Sequence, residues 1–238
     1  GIKNLEQAQE KLVIYRQAVL KKAFERELYS SAITKKPLES FVSLITKGAS
    51  PKWQGFEYVN DKNALLFITS ENVREGFISL EKEKYLPVEF NDIQKRSILK
   101  KGDVLLNIVG ASIGRSAIYE SNKISNINQA VCLIRLTNEL SNKYLCYFLN
   151  SNIAMQIYLD KQVDVARANL SLKNVKQLKI PFCDFEQQEK IVQEIEYQFS
   201  ICDALEKNIK KGLQQAKSLK QSILKKAFEG KLLSQDEL

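Results

Sequence analysis

From Glu186 to Phe228 the chain runs for 43 residues without a proline, and Gly212 is the only glycine in the stretch. Within it Ile195, Phe199, Cys202, Leu205, Ile209, Leu213, Ala216, Leu219, Ile223 and Ala227 recur about every 3.6 residues, the helical period. A helix of that length reaches roughly 65 Å at 1.5 Å per residue. No small domain buries one apolar stripe along its whole length, so the stripe requires partner helices, as in a coiled coil. Residues 3–28 carry a shorter version of the same signal in Leu5, Ala8, Leu12, Tyr15, Val19 and Ala23. The interface of the coil is therefore expected to hold Leu12, Tyr15 and Val19 from the first helix, and Ile195, Phe199, Leu205, Ile209, Leu213, Leu219 and Ile223 from the second.

Between these helices the character of the sequence changes. Short β-rich runs, 65–69, 104–109, 116–119 and 130–136, are separated by turns of Gly, Asn, Asp and Ser. Residues 144–150 and 153–158 read as helical, so the expected class is α+β, a globular domain flanked by long helices. The expected boundaries are 1–30 for the first helix, 31–185 for the globular domain and 186–238 for the long helix. Of the net charge of +8, residues 31–185 hold 21 basic against 15 acidic side chains, whereas 186–238 balance at nine each. The positive excess thus lies mostly on the globular domain, and it admits nucleic acid or anionic lipid as a partner.

Several chemistries are excluded by absent residue types. The 238 residues contain no histidine, which removes a Ser-His-Asp triad, a Cys-His pair, HExxH zinc and histidine proton shuttling. The four cysteines, Cys132, Cys146, Cys183 and Cys202, stand too far apart for a zinc knuckle and read as small buried hydrophobes in a reducing cytoplasm. No apolar run is long enough to span a membrane. The four prolines include no adjacent pair, so the Asn/Asp-Pro-Pro-aromatic element of an adenine methyltransferase is missing, as is any Walker phosphate loop. No catalytic residue, cofactor or metal site is expected.

Residues 15–28, YRQAVLKKAFEREL, recur as residues 219–232, LKQSILKKAFEGKL, with eight of fourteen positions identical and LKKAFE unbroken. A duplicated helix end on both sides of one globular domain implies a cyclic plan of helix, domain, helix. On these features the chain resembles the specificity (S) subunits of type I restriction-modification systems. The supporting motifs are the SILKKAFEGKL ending, the Gly48-Ala49-Ser50-Pro51 turn, Gly102-Asp103-Val104-Leu105 followed by Gly110–Gly114, and the polar turns Asn126–Gln129 and Ala168–Ser171. The resemblance implies an antiparallel coiled coil, a target recognition domain that reads one half of a bipartite DNA site, and methyltransferase and restriction subunits as partners. Such a subunit is non-catalytic and cytoplasmic. A full subunit has two recognition domains, so one domain here implies a half-subunit or a C-terminal half, working as a homodimer or with another half. Arg167, two residues before Asn169, departs from the small or amide residue the family favours there.

The candidate DNA contacts follow from side-chain chemistry. Lys47, Ser50, Lys52 and Trp53 ride on the turn shaped by Gly48 and Pro51. Ser112 and Arg115 belong to the glycine turn, and guanidinium grips phosphate or bridges guanine O6 and N7. Asn126, Asn128 and Gln129 offer the paired donor and acceptor that read adenine. Arg74, Arg167 and Asn169 complete the set. The competing reading is a coiled-coil scaffold whose α+β domain binds protein.

Overall fold

A computed structural model describes residues 1–25, 34–160 and 169–231. Helix α1 covers Ile2–Phe24, followed by strands β1 (Thr34–Pro37), β2 (Val42–Lys47), β3 (Leu65–Ile68) and β4 (Tyr85–Leu86) and the one-turn helix α2 (Phe90–Ile93). Strands β5 (Val104–Asn107), β6 (Ser116–Ile118), β7 (Ser125–Ile127) and β8 (Val131–Leu136) come next. Helices α3 (Asn142–Leu149), α4 (Asn152–Asp160) and α5 (Leu172–Lys176), strand β9 (Lys179–Phe182) and helix α6 (Phe185–Phe228) complete the order. The α+β class holds.

The chain forms two compact units, Gly1–Val19 with Glu194–Leu238, and Leu20–Gln193. The limits of these compact units fall inside both long helices. The inner ends of the helices are apolar and belong to the globular unit: Leu20, Ala23 and Phe24 of α1 and Ile191 and Val192 of α6 are all buried.

In the helical unit α1 and α6 lie antiparallel, with Leu5 beside Gly212 and Arg16 beside Asp203. Arg16 Nη2 reaches Asp203 Oδ1 at 2.6 Å and Glu206 Oε2 at 3.6 Å, and its guanidinium sits 5.0 Å above the Phe199 ring. The Tyr15 hydroxyl donates to Gln198 Oε1 at 2.9 Å. Ile195, Cys202 and Leu213 are buried, while Leu12, Val19, Phe199 and Ile209 are partly buried. Tyr15, Leu205, Leu219 and Ile223, all expected in the seam, are exposed within this chain. Beside the exposed Leu205 stands Glu206, the residue whose carboxylate approaches Arg16. Leu219 and Ile223 lie past the stretch of α6 that faces α1, the part of the stripe expected to need a partner helix.

The globular unit is built on two sheets, a four-stranded one in the order β2-β8-β5-β6 and a three-stranded one in the order β4-β3-β7, with a separate β1-β9 pair. β3 is buried on both faces: Leu66 and Ile68 join a core with Val73, Leu105, Tyr119, Ile127 and Leu133, while Leu65 and Phe67 join Leu86 and Phe90. That explains why Leu65-Leu66-Phe67-Ile68 is a continuous apolar run and not an alternating one. The Gly102-Asp103 motif is a tie within this frame. Gly102 adopts φ +92, which favours glycine, and its N–H donates to Tyr119 O at 2.8 Å. Asp103 then accepts two hydrogen bonds of 2.7 Å from Arg135 in β8 and one of 2.7 Å from Lys100 N. In the first turn of α6, Gln188 is fully buried. Its Oε1 accepts from Ser141 N, and its Nε2 donates to Glu139 O and Cys183 O.

Candidate nucleic-acid interface

Strand order decides where the turns go. Lys47 at the end of β2 pairs with Cys132 at the start of β8, and Asn107 at the end of β5 pairs with Val131. β6 begins opposite the end of β5, and β3 and β7 run parallel and finish together at Ile68 and Ile127. The segments after β2, β3, β5 and β7 therefore emerge at one end of the globular unit. Asn169 joins them through a bridge to Val109, with Leu170 N donating to Ile108 O at 2.8 Å.

Internal ties hold these turns together. Gly48 has no room for a side chain, since a Cβ there would stand 1.8 Å from Ile127 O. The turn carrying Ser50, Lys52 and Trp53 is thus pressed backbone to backbone against the turn carrying Asn128 and Gln129. Asn107 is fully buried, and its Nδ2 donates to Ser70 O at 2.9 Å and Val73 O at 3.3 Å, tying β5 to the hairpin that carries Arg74. Gly76 N, at the tip of that hairpin, donates to Ser116 O at 2.8 Å. Gly114 adopts φ +88 and lies against Tyr158 and Met155, so the turn from Gly110 closes tightly and delivers Arg115 to the start of β6.

Most expected contact residues meet at this end. Lys47, Lys52, Gln129 and Asn169 are exposed, Trp53 is 85% exposed, and Ser50, Arg74, Ser112, Arg115 and Asn128 are half-buried. The Oδ1 of Asn128 accepts from Ala130 N at 3.2 Å. Asn126 is the correction. It lies in β7, not in a turn, and is fully buried. Its Nδ2 donates to Asn91 Oδ1 at 2.7 Å and Gln94 O at 3.0 Å, and its Oδ1 accepts from Ile127 N. No polar atom of Asn126 is left to meet a base. Arg167 lies outside the described residues. Two exposed apolar side chains at the same end, Phe77 and Val109, were not picked out from the sequence. Their one signal is position, since Phe77 follows the turn glycine Gly76 and Val109 precedes Gly110.

No group of His, Cys, Asp and Glu among the described residues could hold a metal ion. The four thiols are buried, and burial pushes Cys132 up to about 12 and Cys146 and Cys183 up to about 11, far from a reactive thiolate. Among the described residues no helix is long and apolar enough to cross a membrane.

Residues 60–215 match the family model of the type I restriction modification DNA specificity domain. The chain is 30% identical over 217 residues to the type I restriction enzyme EcoBI specificity subunit of Escherichia coli, covering 90% of this chain and 46% of that protein. Among solved structures it superimposes with a TM-score of 0.75 on a chain from a study of complex assembly and conformational transition of the type I R-M system. Against the HsdS subunit of Thermoanaerobacter tengcongensis the TM-score is 0.65. Both are 20% identical, cover 97% of this chain and share its fold. The chain spans about half the length of the curated relatives it matches. With its helix-flanked α+β architecture and a family match over most of its length, this chain belongs to the type I restriction-modification DNA specificity family.

Proposed function

We propose that the globular unit is a target recognition domain that binds double-stranded DNA and reads one half of a bipartite site, without catalysing any reaction itself. The observation that carries this reading is the gathering of Lys47, Lys52, Arg115, Asn128, Gln129 and Asn169 at one end, on turns held by internal ties. Lysines there supply sequence-independent phosphate contacts, while Arg, Asn and Gln side chains supply base contacts. The domain boundaries 31–185 and 186–238 serve this division of labour, with the reader first and the spacer helix after it.

The helical unit supports assembly. Val13 and Ile14 on α1 and Tyr197, Ile201 and Leu205 on α6 are apolar and exposed, which suits docking of methyltransferase subunits and, through them, a restriction subunit. The exposed stretch of α6 beyond Ala216 suits pairing with another specificity half, in a second copy or in a different chain.

Selection of bound duplexes from a random library, followed by titration at several salt concentrations, tests the reading. Lys47→Ala and Lys52→Ala are expected to weaken all duplexes alike and to lower the salt slope by about one per lost contact. Arg115→Ala and Gln129→Ala are expected to cost about 1–3 kcal/mol on the selected duplex and much less on random DNA. Absence of any enriched sequence, with the protein folded, overturns sequence reading and leaves the protein-binding scaffold.

A further inference from the structure

The segment between Thr69 and Lys82 lifts an apolar side chain onto the end where the lysines and arginines gather. Asn72, 1% exposed, locks its base: Oδ1 accepts from Thr69 N and Oγ1 at 2.9 Å, and Nδ2 donates to Ser79 O at 3.0 Å and Lys82 O at 3.2 Å. A bridge between Val73 and Ile78 closes the two arms, and Arg74 N donates to Phe77 O at 2.9 Å across the tip. Gly76, at φ +85, ties the tip to Ser116 O, and Ser116 N in turn donates to Asn150 Oδ1 at 2.9 Å. Phe77 is thus 59% exposed on a tip held from below. Single exposed apolar side chains are common, so the exposure alone means little, and the place of this one carries the argument. Its neighbour on the tip, the exposed Glu75, repels phosphate, so the tip itself is unsuited to the DNA backbone. A two-stranded ribbon does fit the major groove, and the apolar group that base edges present there is the C5 methyl of thymine.

We propose that Phe77 is a specificity-determining residue that packs on the C5 methyl group of a thymine in the major groove. The proposal rests on the DNA-binding reading of the globular unit given above and names one base that it selects. Arg74 opens the tip and Arg115 immediately precedes its anchor Ser116, so two guanidinium groups flank the ties that hold Phe77. They supply the grip on adjoining phosphates or guanine edges that an apolar ring cannot supply for itself. The ring in turn neither donates nor accepts a hydrogen bond, so what it distinguishes is the presence of a methyl group.

Replacing each thymine of the duplex that the full chain selects by uracil, one position at a time, removes one methyl group per duplex and tests this. Wild-type chain is expected to bind about fourfold more weakly when the contacted thymine loses its methyl, the scale of one buried carbon. Phe77→Ala, with folding checked by circular dichroism, is expected to show no loss at that position and the same response as wild type at every other thymine. Phe77→Leu keeps an apolar side chain, is expected to retain about twofold sensitivity, and decides the matter if Phe77→Ala does not fold. This coupling of one side chain to one methyl group is a readout that a merely structural role does not move. Absence of any thymine at which wild type and Phe77→Ala differ overturns the contact. So does a uniform loss by Phe77→Ala on methylated and unmethylated positions alike, which marks a wedge between base pairs instead. An enriched sequence without the coupling removes the thymine contact alone, whereas no enriched sequence removes the DNA reading and the contact together.

Discussion

Arg135 clamps Asp103 in parallel, Nε to Oδ1 and Nη2 to Oδ2, both at 2.7 Å, while Nη2 also donates to Ile98 O at 3.1 Å. The carboxylate is 2% exposed and the guanidinium side chain 24%, so the pair is one-sidedly buried. Removing the cation strands a charge in the interior. Arg135→Ala is expected to cost about 3–5 kcal/mol in urea denaturation, and Arg135→Lys less, since charge persists without the fork. A loss under 1 kcal/mol for Arg135→Ala would show the clamp to be dispensable.

Gly48 is fixed by its neighbour, not by its backbone angles. A methyl group there would collide with Ile127 O and Asn128 O, backbone atoms that cannot swing aside. Gly48→Ala is expected to destabilise the globular unit by about 2–3 kcal/mol or to part the two turns. Amide exchange distinguishes these, since parted turns lose protection at Asn128 N, which donates to Ile68 O at 3.0 Å.

Asn126 and Gln129 stand three residues apart and should respond oppositely. Asn126→Ala breaks three internal hydrogen bonds in a buried strand and is expected to cost about 2–4 kcal/mol of stability, with the duplex preference of the folded protein unchanged. Gln129→Ala is expected to leave the melting midpoint within about 0.5 kcal/mol and to alter binding. Paired melting and titration curves check both.

Burial raises the thiol pKa of Cys132 from 9.0 to about 12 and of Cys146 from 9.0 to about 11. The unfolded chain therefore loses these protons first. Stability is full below about pH 9 and falls as the pH rises from there toward 11 to 12, because the unfolded state then binds fewer protons than the folded one. Thermal melts between pH 7 and 11 should show this decline, and Cys132→Ala should flatten it. At pH 8 a thiol reagent should label Cys132 only at the rate of unfolding.

The long helices and strands β3, β5, β6 and β8 are legible in the sequence because their apolar periods are undiluted. Strand β7 is not. Ser125-Asn126-Ile127 reads as a polar turn, and only its parallel pairing with β3 and the partners of Asn126 make it an interior strand. The β1-β9 pair is obscured by Pro37 and Pro181, which sit opposite Lys179 and Lys35 at a sheet edge. Each candidate turn is readable as a turn from its Gly, Asn and Ser content. That they emerge together is not, because it depends on β8 lying between β2 and β5, an order that no local pattern encodes. Along the seam, Leu205 is exposed while its neighbour Glu206 approaches Arg16, a pairing that the apolar period alone does not show.

The backbone contact at Gly48 has a consequence for how such a protein diversifies. Spacing between the two turns is set by main-chain atoms and by side chains whose hydrogen bonds are committed inward. The side chains of Lys47, Lys52 and Gln129 are exposed. On the proposed reading, exchange at those positions is expected to alter the chemical face while the chassis stays registered, so that new preferences are reached by single steps without an unfolded ancestor.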